Sequence, residues 1–185
     1  GPDVAYVAHI SGFALGALAA VVAGQFGDGR VEALARRAAS YVRKGEAYAA
    51  QGDYLEFLAH RPDDVDARAG LARAMAMSGD RDGARGHYRR ACERLMDAKR
   101  RGEAQDLYQE AVRGIEDFAL GADDQLSMAF SLERDLKPRL ALHAYEMFVA
   151  KYPAHPDSPL AMLRAAGIHW HVFSDSGSAD ALYGR

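Results

Sequence analysis

The chain has 185 residues, a formal net charge of −3, 49% apolar residues and 26% charged residues. This balance is typical of a globular chain with its own hydrophobic core and excludes a disordered polymer. The near-neutral charge argues against a nucleic-acid-binding protein. The single cysteine, Cys92, excludes an intramolecular disulfide and a cysteine-rich zinc site. Few prolines and aromatic residues, beside abundant alanine, leucine and arginine, predict an all-α fold.

The first segment, residues 4–26, reads VAYVAHISGFALGALAAVVAGQF and contains no Asp, Glu, Lys or Arg. As a helix it would be about 34 Å long, enough to cross a bilayer core of about 30 Å. Arginines and a lysine follow between residues 30 and 44, which places the C-terminal side in the cytoplasm by the positive-inside rule. We therefore expect a transmembrane helix within residues 1–27 of an integral cell-membrane protein. The alternative is a buried, alanine-rich helix of a soluble protein.

Residues 28–185 consist of short apolar-periodic segments separated by glycine, proline and aspartate clusters. Such segments predict stacked antiparallel helices. An apolar stripe at helical spacing predicts a first helix that ends at Gly52 and Asp53, followed by a short helix near residues 54–60. Farther along, the pattern predicts one long helix running through residues 94–101. Aspartates before several segments, such as Asp63 and Asp64, are expected at helix starts, where carboxylates favour the helix dipole.

Small and aromatic residues recur along this second part at a fixed spacing. Ala84, Tyr88 and Ala91 recur as Ala104, Tyr108 and Ala111, as Ala141, Tyr145 and Phe148, and in part as Ala179 and Tyr183. The pattern resembles the tetratricopeptide repeat, a 34-residue helix-turn-helix unit. Residues 65–98 resemble the repeat best. In residues 122–155, Leu136 stands where the family has a turn glycine, and residues 160–185 resemble a truncated repeat.

This resemblance implies a helical-hairpin solenoid over residues 28–185 that binds a peptide or a partner protein. Polar residues on the first helices, such as Arg68 and Arg73, are candidates for the binding groove, although the sequence does not orient them. The alternative fold is an irregular helical bundle in which the spacing arises by chance. The excess of arginine in residues 81–101 and of acid in residues 110–124 is interpreted as solvated helix faces.

His9 lies inside the charge-free first segment, and ionisable residues within a membrane are functional candidates. Ala8, Gly12 and Gly16 form a ridge of small residues at four-residue spacing, which lets a second helix approach closely. The run from Ala8 to Gly16 resembles the last core helix of rhomboid intramembrane serine proteases. The resemblance implies that His9 is the general base of a Ser-His dyad. Alternatively, His9 forms a hydrogen bond between helices of another multi-span protein.

The Gly-x-Ser-Gly motif that carries the rhomboid nucleophile is absent from the sequence, and Ser11 points away from His9 on a helix. The 185 residues alone are therefore expected to be inactive. Our first hypothesis is the C-terminal part of a rhomboid-like protease, or of a rhomboid-like pseudoprotease, with a cytoplasmic repeat domain that recruits proteins. The arginine and alanine bias is typical of a GC-rich bacterium, although the sequence does not identify the organism. The alternative is a non-enzymatic repeat scaffold, membrane-tethered or soluble. We expect no cofactor, metal or nucleic acid. Trp170 is expected to pack in the repeat, and Cys92 to be buried and inert.

Overall fold

The computed structural model describes residues 29–174, 177–178 and 181. These residues form α-helices and no strand. Helix α1 covers residues 29–44. The remaining helices are α2 Ala47–His60, α3 Val65–Ser78, α4 Arg81–Asp97, α5 Arg101–Gly114, α6 Ala122–Arg134, α7 Pro138–Lys151 and α8 Ser158–Phe173. Each helix from α2 to α8 packs against the next along the chain, most loosely between α5 and α6. The all-α prediction and the helical-hairpin architecture are confirmed for the described residues.

The same left-handed turn joins helices at four places. Its central residue has a positive φ and is Gly45, Gly79, Lys99 or Leu136. In each turn the central N–H bonds the carbonyl three residues earlier, and the following N–H bonds the carbonyl five residues before it. These two bonds close the end of the preceding helix and reverse the chain into the next one. The prediction that Leu136 stands in place of a turn glycine is confirmed, since its φ is 56°.

A buried alanine and a buried tyrosine follow every one of these turns at constant distances, five and nine residues after the central residue. The pairs are Ala50 and Tyr54, Ala84 and Tyr88, Ala104 and Tyr108, and Ala141 and Tyr145. The alanine permits close approach of the helices, and the tyrosine fills the space toward the neighbouring helix. Gly70 shows how close the contact is, because a Cβ there would lie 2.2 Å from Cζ of Tyr54.

Two helix boundaries differ from the prediction. The first turn falls at Gly45, and α2 runs through Gly52 and Asp53 to His60, so the predicted short helix is wrong. Gly52 lies within α2, where a Cβ would meet nothing within 4 Å, so neither packing nor backbone requires glycine there, whereas Gly45 supplies the left-handed conformation. The long helix through residues 94–101 is also wrong, because Lys99 adopts a positive φ and starts a new helix, α5. Lysine carries no sequence signal for such a turn.

The linker 115–121 joins α5 to α6 and buries Ile115, Phe118 and Leu120, and Gln125 of α6 holds it against the core. The fully buried Gln125 amide accepts a hydrogen bond from the Leu120 N–H at 2.9 Å. It donates to the Tyr108 hydroxyl at 2.8 Å and to the Ala144 carbonyl at 2.9 Å. Tyr152 secures the same linker by donating to the Leu120 carbonyl at 2.6 Å. One amide therefore joins α5, the linker, α6 and α7.

The predicted transmembrane helix, residues 4–26, lies outside the described residues. Within the part of the chain that the structure describes, no helix combines the length and the apolar character needed to cross a membrane.

We expect Gln125→Leu to lower the free energy of unfolding by about 1–3 kcal/mol, because it leaves the buried Leu120 N–H without a partner and removes the amide's bonds to the Tyr108 hydroxyl and the Ala144 carbonyl. Urea denaturation followed by circular dichroism measures the change. Gln109→Leu, on a half-buried site of α5 with no such network, is the matched control and is expected to be nearly neutral. Equal effects of the two substitutions would contradict the role given to Gln125.

Candidate functional site

The residues predicted for proteolysis, His9 with Ala8, Gly12 and Gly16, lie outside the described residues, so their arrangement stays a prediction. Among the residues that the structure describes, no group of three or more His, Cys, Asp or Glu side chains could hold a metal ion. The site described below is therefore a surface formed by the repeat domain.

Arg73, one of the two predicted groove residues, is half-buried and is engaged in an ion pair within the fold. Its guanidinium forms a two-pronged ion pair with Glu110 at 2.7 and 2.8 Å. The Tyr88 hydroxyl donates to the same carboxylate at 2.6 Å. Burial and Glu110 together raise the pKa of Tyr88. Arg73 thus links α3 to α5 and is a structural residue, whereas Arg68, the other candidate, lies on the opposite edge of α3 toward α4.

An apolar groove of about 700 Å³ lies between α8 and the turn from α6 to α7. Its wall consists mainly of aliphatic side chains, many of them exposed: Leu136, Pro138, Leu160, Leu163, Ile168 and Val172, with Glu133, Arg164, Gly167 and His171 supplying the remainder. Leu163 and Val172 expose about half of their surface, 53% and 50%. Clustered apolar exposure of this kind makes the groove a candidate interaction surface.

The charged and polar side chains of the groove are only partly paired with one another. One oxygen of Glu133 accepts from the Tyr145 hydroxyl at 2.6 Å, and the other lies 3.4 Å from the guanidinium of Arg164. Burial and Glu133 raise the pKa of Tyr145, which keeps this hydroxyl a donor. Arg164 also lies over the Phe130 ring at 6.0 Å. Because Glu133 is shared with Tyr145, Arg164 and the exposed His171 present unsatisfied donor capacity to a ligand.

Leu136 is the most exposed large apolar side chain in the described residues, at 86%. It also carries the left-handed conformation that costs a residue with a Cβ about 1–2 kcal/mol. Packing among the described residues therefore does not account for a leucine in this strained conformation. The sequence contains one indication of this groove, the leucine at position 136 in place of a turn glycine. No sequence pattern links Leu136 with Leu163 and Val172.

A second depression of about 440 Å³ lies between the turn from α4 to α5 and one side of α6. It carries charges of both signs, with Lys99 and Arg101 facing Asp97 and Asp124. Burial and the neighbouring carboxylates of Asp97 and Asp123 raise the pKa of Asp124. A mixed-charge depression of this kind offers less apolar surface to a partner than the groove on α8 does.

Of the remaining residues singled out in the sequence, Cys92 is placed as predicted and Trp170 is not. Cys92 is fully buried, and burial raises its pKa, so the prediction of an inert, packed cysteine is confirmed. Trp170 is 49% exposed, so the prediction that it packs in the repeat is wrong for the described residues. His169 Nε2 lies 3.3 Å from Glu146, whereas His171 faces the groove, as the helical spacing of the two histidines requires.

No protein-family model and no curated protein matches the sequence. Solved structures with a similar course of the chain include MamA, at 15% identity and a TM-score of 0.37, over 80% of this chain and 90% of that one. YrrB, described as a TPR protein with an unusual peptide-binding site, has 14% identity and a TM-score of 0.33 over 82% and 81%. PilF of Pseudomonas aeruginosa has 16% identity and a TM-score of 0.33 over 84% and 89%. None of these is a rhomboid protease.

We expect Leu136→Gly to raise the free energy of unfolding by about 0.5–1 kcal/mol, because glycine removes the left-handed strain but gains freedom in the unfolded chain. Thermal and urea denaturation measure the difference. Gly79→Ala places a side chain in the same conformation of the α3–α4 turn and is expected to destabilise by a similar amount. A destabilised Leu136→Gly variant would show that this leucine supports the fold itself.

Proposed function

We propose that the repeat domain is a protein-interaction module that binds a peptide segment of a partner protein in the groove on α8. The main observation is the run of exposed aliphatic side chains gathered on one groove wall, whereas other exposed large apolar side chains, such as Tyr48 and Leu55, lie on α2 outside the groove. The groove volume of about 700 Å³ is in the range of ligand pockets and accommodates a few side chains of a peptide. This supports the non-enzymatic scaffold hypothesis drawn from the repeats.

The groove chemistry supports a ligand with two features. Leu136, Leu163 and Val172 favour aliphatic or aromatic side chains, since their burial removes apolar surface from water. Arg164 favours a carboxylate beside them, because a planar guanidinium pairs with a carboxylate through two parallel hydrogen bonds. We therefore expect a segment in which apolar residues flank an acidic residue.

The test selects peptides from a phage-displayed random library on the full 185-residue chain and measures their affinity by fluorescence anisotropy. We expect selected peptides to combine apolar and acidic residues and to bind with micromolar Kd. Val172→Asp is expected to weaken this binding at least tenfold, because it adds a charge to the groove and repels an acidic ligand.

Leu55→Asp is the matched control, since Leu55 is a similarly exposed aliphatic residue on α2, far along the chain from the groove. Unchanged affinity is expected for this variant. Peptides that bind the Val172→Asp variant as tightly as the original chain would exclude the groove as the binding site.

A second candidate function, proteolysis within a membrane, is supported by the sequence from Ala8 to Gly16 alone. In this proposal, a longer protein containing these residues is an integral membrane protease, with His9 as its general base and the repeat domain in the cytoplasm. Its nucleophilic serine would come from outside the 185 residues.

For this candidate, His9→Ala in the longer reading frame is expected to abolish cleavage of a transmembrane reporter, because the serine loses its proton acceptor. His60→Ala, at an exposed histidine of the repeat domain, is expected to leave cleavage unchanged. Cleavage is followed by immunoblotting of the reporter. Normal cleavage by the His9→Ala protein would exclude His9 as the base.

A further inference from the structure

Four basic side chains converge on one edge of the α3–α4 hairpin, away from the groove on α8. His87, Arg90 and Arg94 are spaced three and four residues apart on α4, so they share one face of that helix. Arg68 approaches them from α3. Burial, with the positive charges of Arg90 and Arg94, lowers the pKa of Arg68, in agreement with this placement.

The loop between α2 and α3 fixes two of these guanidinium groups side by side. Arg68 donates a hydrogen bond to the Pro62 carbonyl, and Arg94 forms an ion pair with the adjacent Asp63. Because Pro62 and Asp63 are consecutive, the two arginines are held at one place on the surface. Their neighbour Arg90 makes no hydrogen bond or ion pair with any described residue.

Positive charge at this edge exceeds the negative charge that faces it. Asp63 is engaged by Arg94, and Asp80 is engaged in accepting a hydrogen bond from the Gly83 N–H at the start of α4. Burial, Arg68 and Arg90 lower the pKa of His87, and the buried Nδ1 of its ring has no partner among the described residues. The positive charges of the cluster therefore repel one another, and some of their N–H groups have no acceptor. A bound anion would reduce the repulsion and accept hydrogen bonds from these groups.

We propose that Arg68, His87 and Arg90 form a binding site for an oxyanion, a phosphate or a carboxylate carried by a peptide partner. Guanidinium groups bind both kinds of oxyanion through paired, charge-assisted hydrogen bonds. The site occupies α3 and α4, so it adds a second, electrostatic contact to the apolar groove on α8 and does not depend on it.

The test titrates the full chain with inorganic phosphate and, separately, with acetate, against chloride at matched ionic strength. Two-dimensional NMR of the histidine rings and thermal denaturation provide the readouts. We expect phosphate to raise the Tm and to raise the pKa of His87, because an anion stabilises the imidazolium form. A response to acetate as well identifies a site that also accepts carboxylates, whereas a response to phosphate alone identifies a phosphate site.

Arg90→Gln provides a second, independent measurement. In chloride it is expected to raise the Tm by about 2 °C, because it removes repulsion, while it weakens phosphate binding at least tenfold. Arg113→Gln, at an exposed arginine of α5, is the control and is expected to change neither property. The proposal is overturned if neither anion shifts the His87 resonances more than chloride does, or if Arg90→Gln binds phosphate normally.

Discussion

The left-handed residue between two helices is the constraint on which the rest of the structure depends. It fixes where one helix ends and in which direction the next begins, so residues at constant distances beyond it occupy equivalent positions on the next helix. The alanine five residues on and the tyrosine nine residues on are buried after all four turns. The tyrosine rings contact different helices: Tyr54 lies against Gly70 of the following helix, where no methyl group would fit, whereas Tyr145 bonds Glu133 of the preceding one.

The middle of the domain departs from this arrangement and compensates with side-chain hydrogen bonds. The linker 115–121 has an extended backbone at the end of α5, and such a segment leaves polar groups that a helix would have paired internally. Gln125, Tyr152 and Arg89 supply partners to Leu120 and Ala119 instead, while the Phe118 ring packs between Tyr88 and Tyr108. Helices on both sides are thereby held to the linker, although α5 and α6 contact each other little.

Periodicity and small-residue spacing were sufficient to predict an all-α chain of hairpins and the unusual turn at Leu136. The turn at Lys99 could not be predicted, because the left-handed conformation of a lysine is imposed by packing on either side and has no local signature. The groove could not be predicted from the sequence either, because it forms only when α8 brings Leu163 and Val172 beside Leu136, which lies more than twenty residues earlier in the chain. Sequence spacing also could not show that Arg73 faces Glu110 whereas Arg68 faces α4.

The two surfaces proposed for binding contrast with the best-satisfied polar sites of the interior. The buried Gln125 amide has three partners, and the buried carboxylate of Asp53 is paired with Arg37 at 2.5 and 2.6 Å. At the proposed surfaces, by contrast, Leu136 is exposed on a strained backbone, and Arg68 and Arg90 carry like charges that repel each other. Among the described residues, packing gives no reason for a leucine at the turn of residue 136, and Arg90 has no hydrogen-bonding or ion-pair partner. In the two proposed binding events, a partner would cover the leucine and an anion would neutralise the arginine, so binding would stabilise the positions that folding leaves least satisfied.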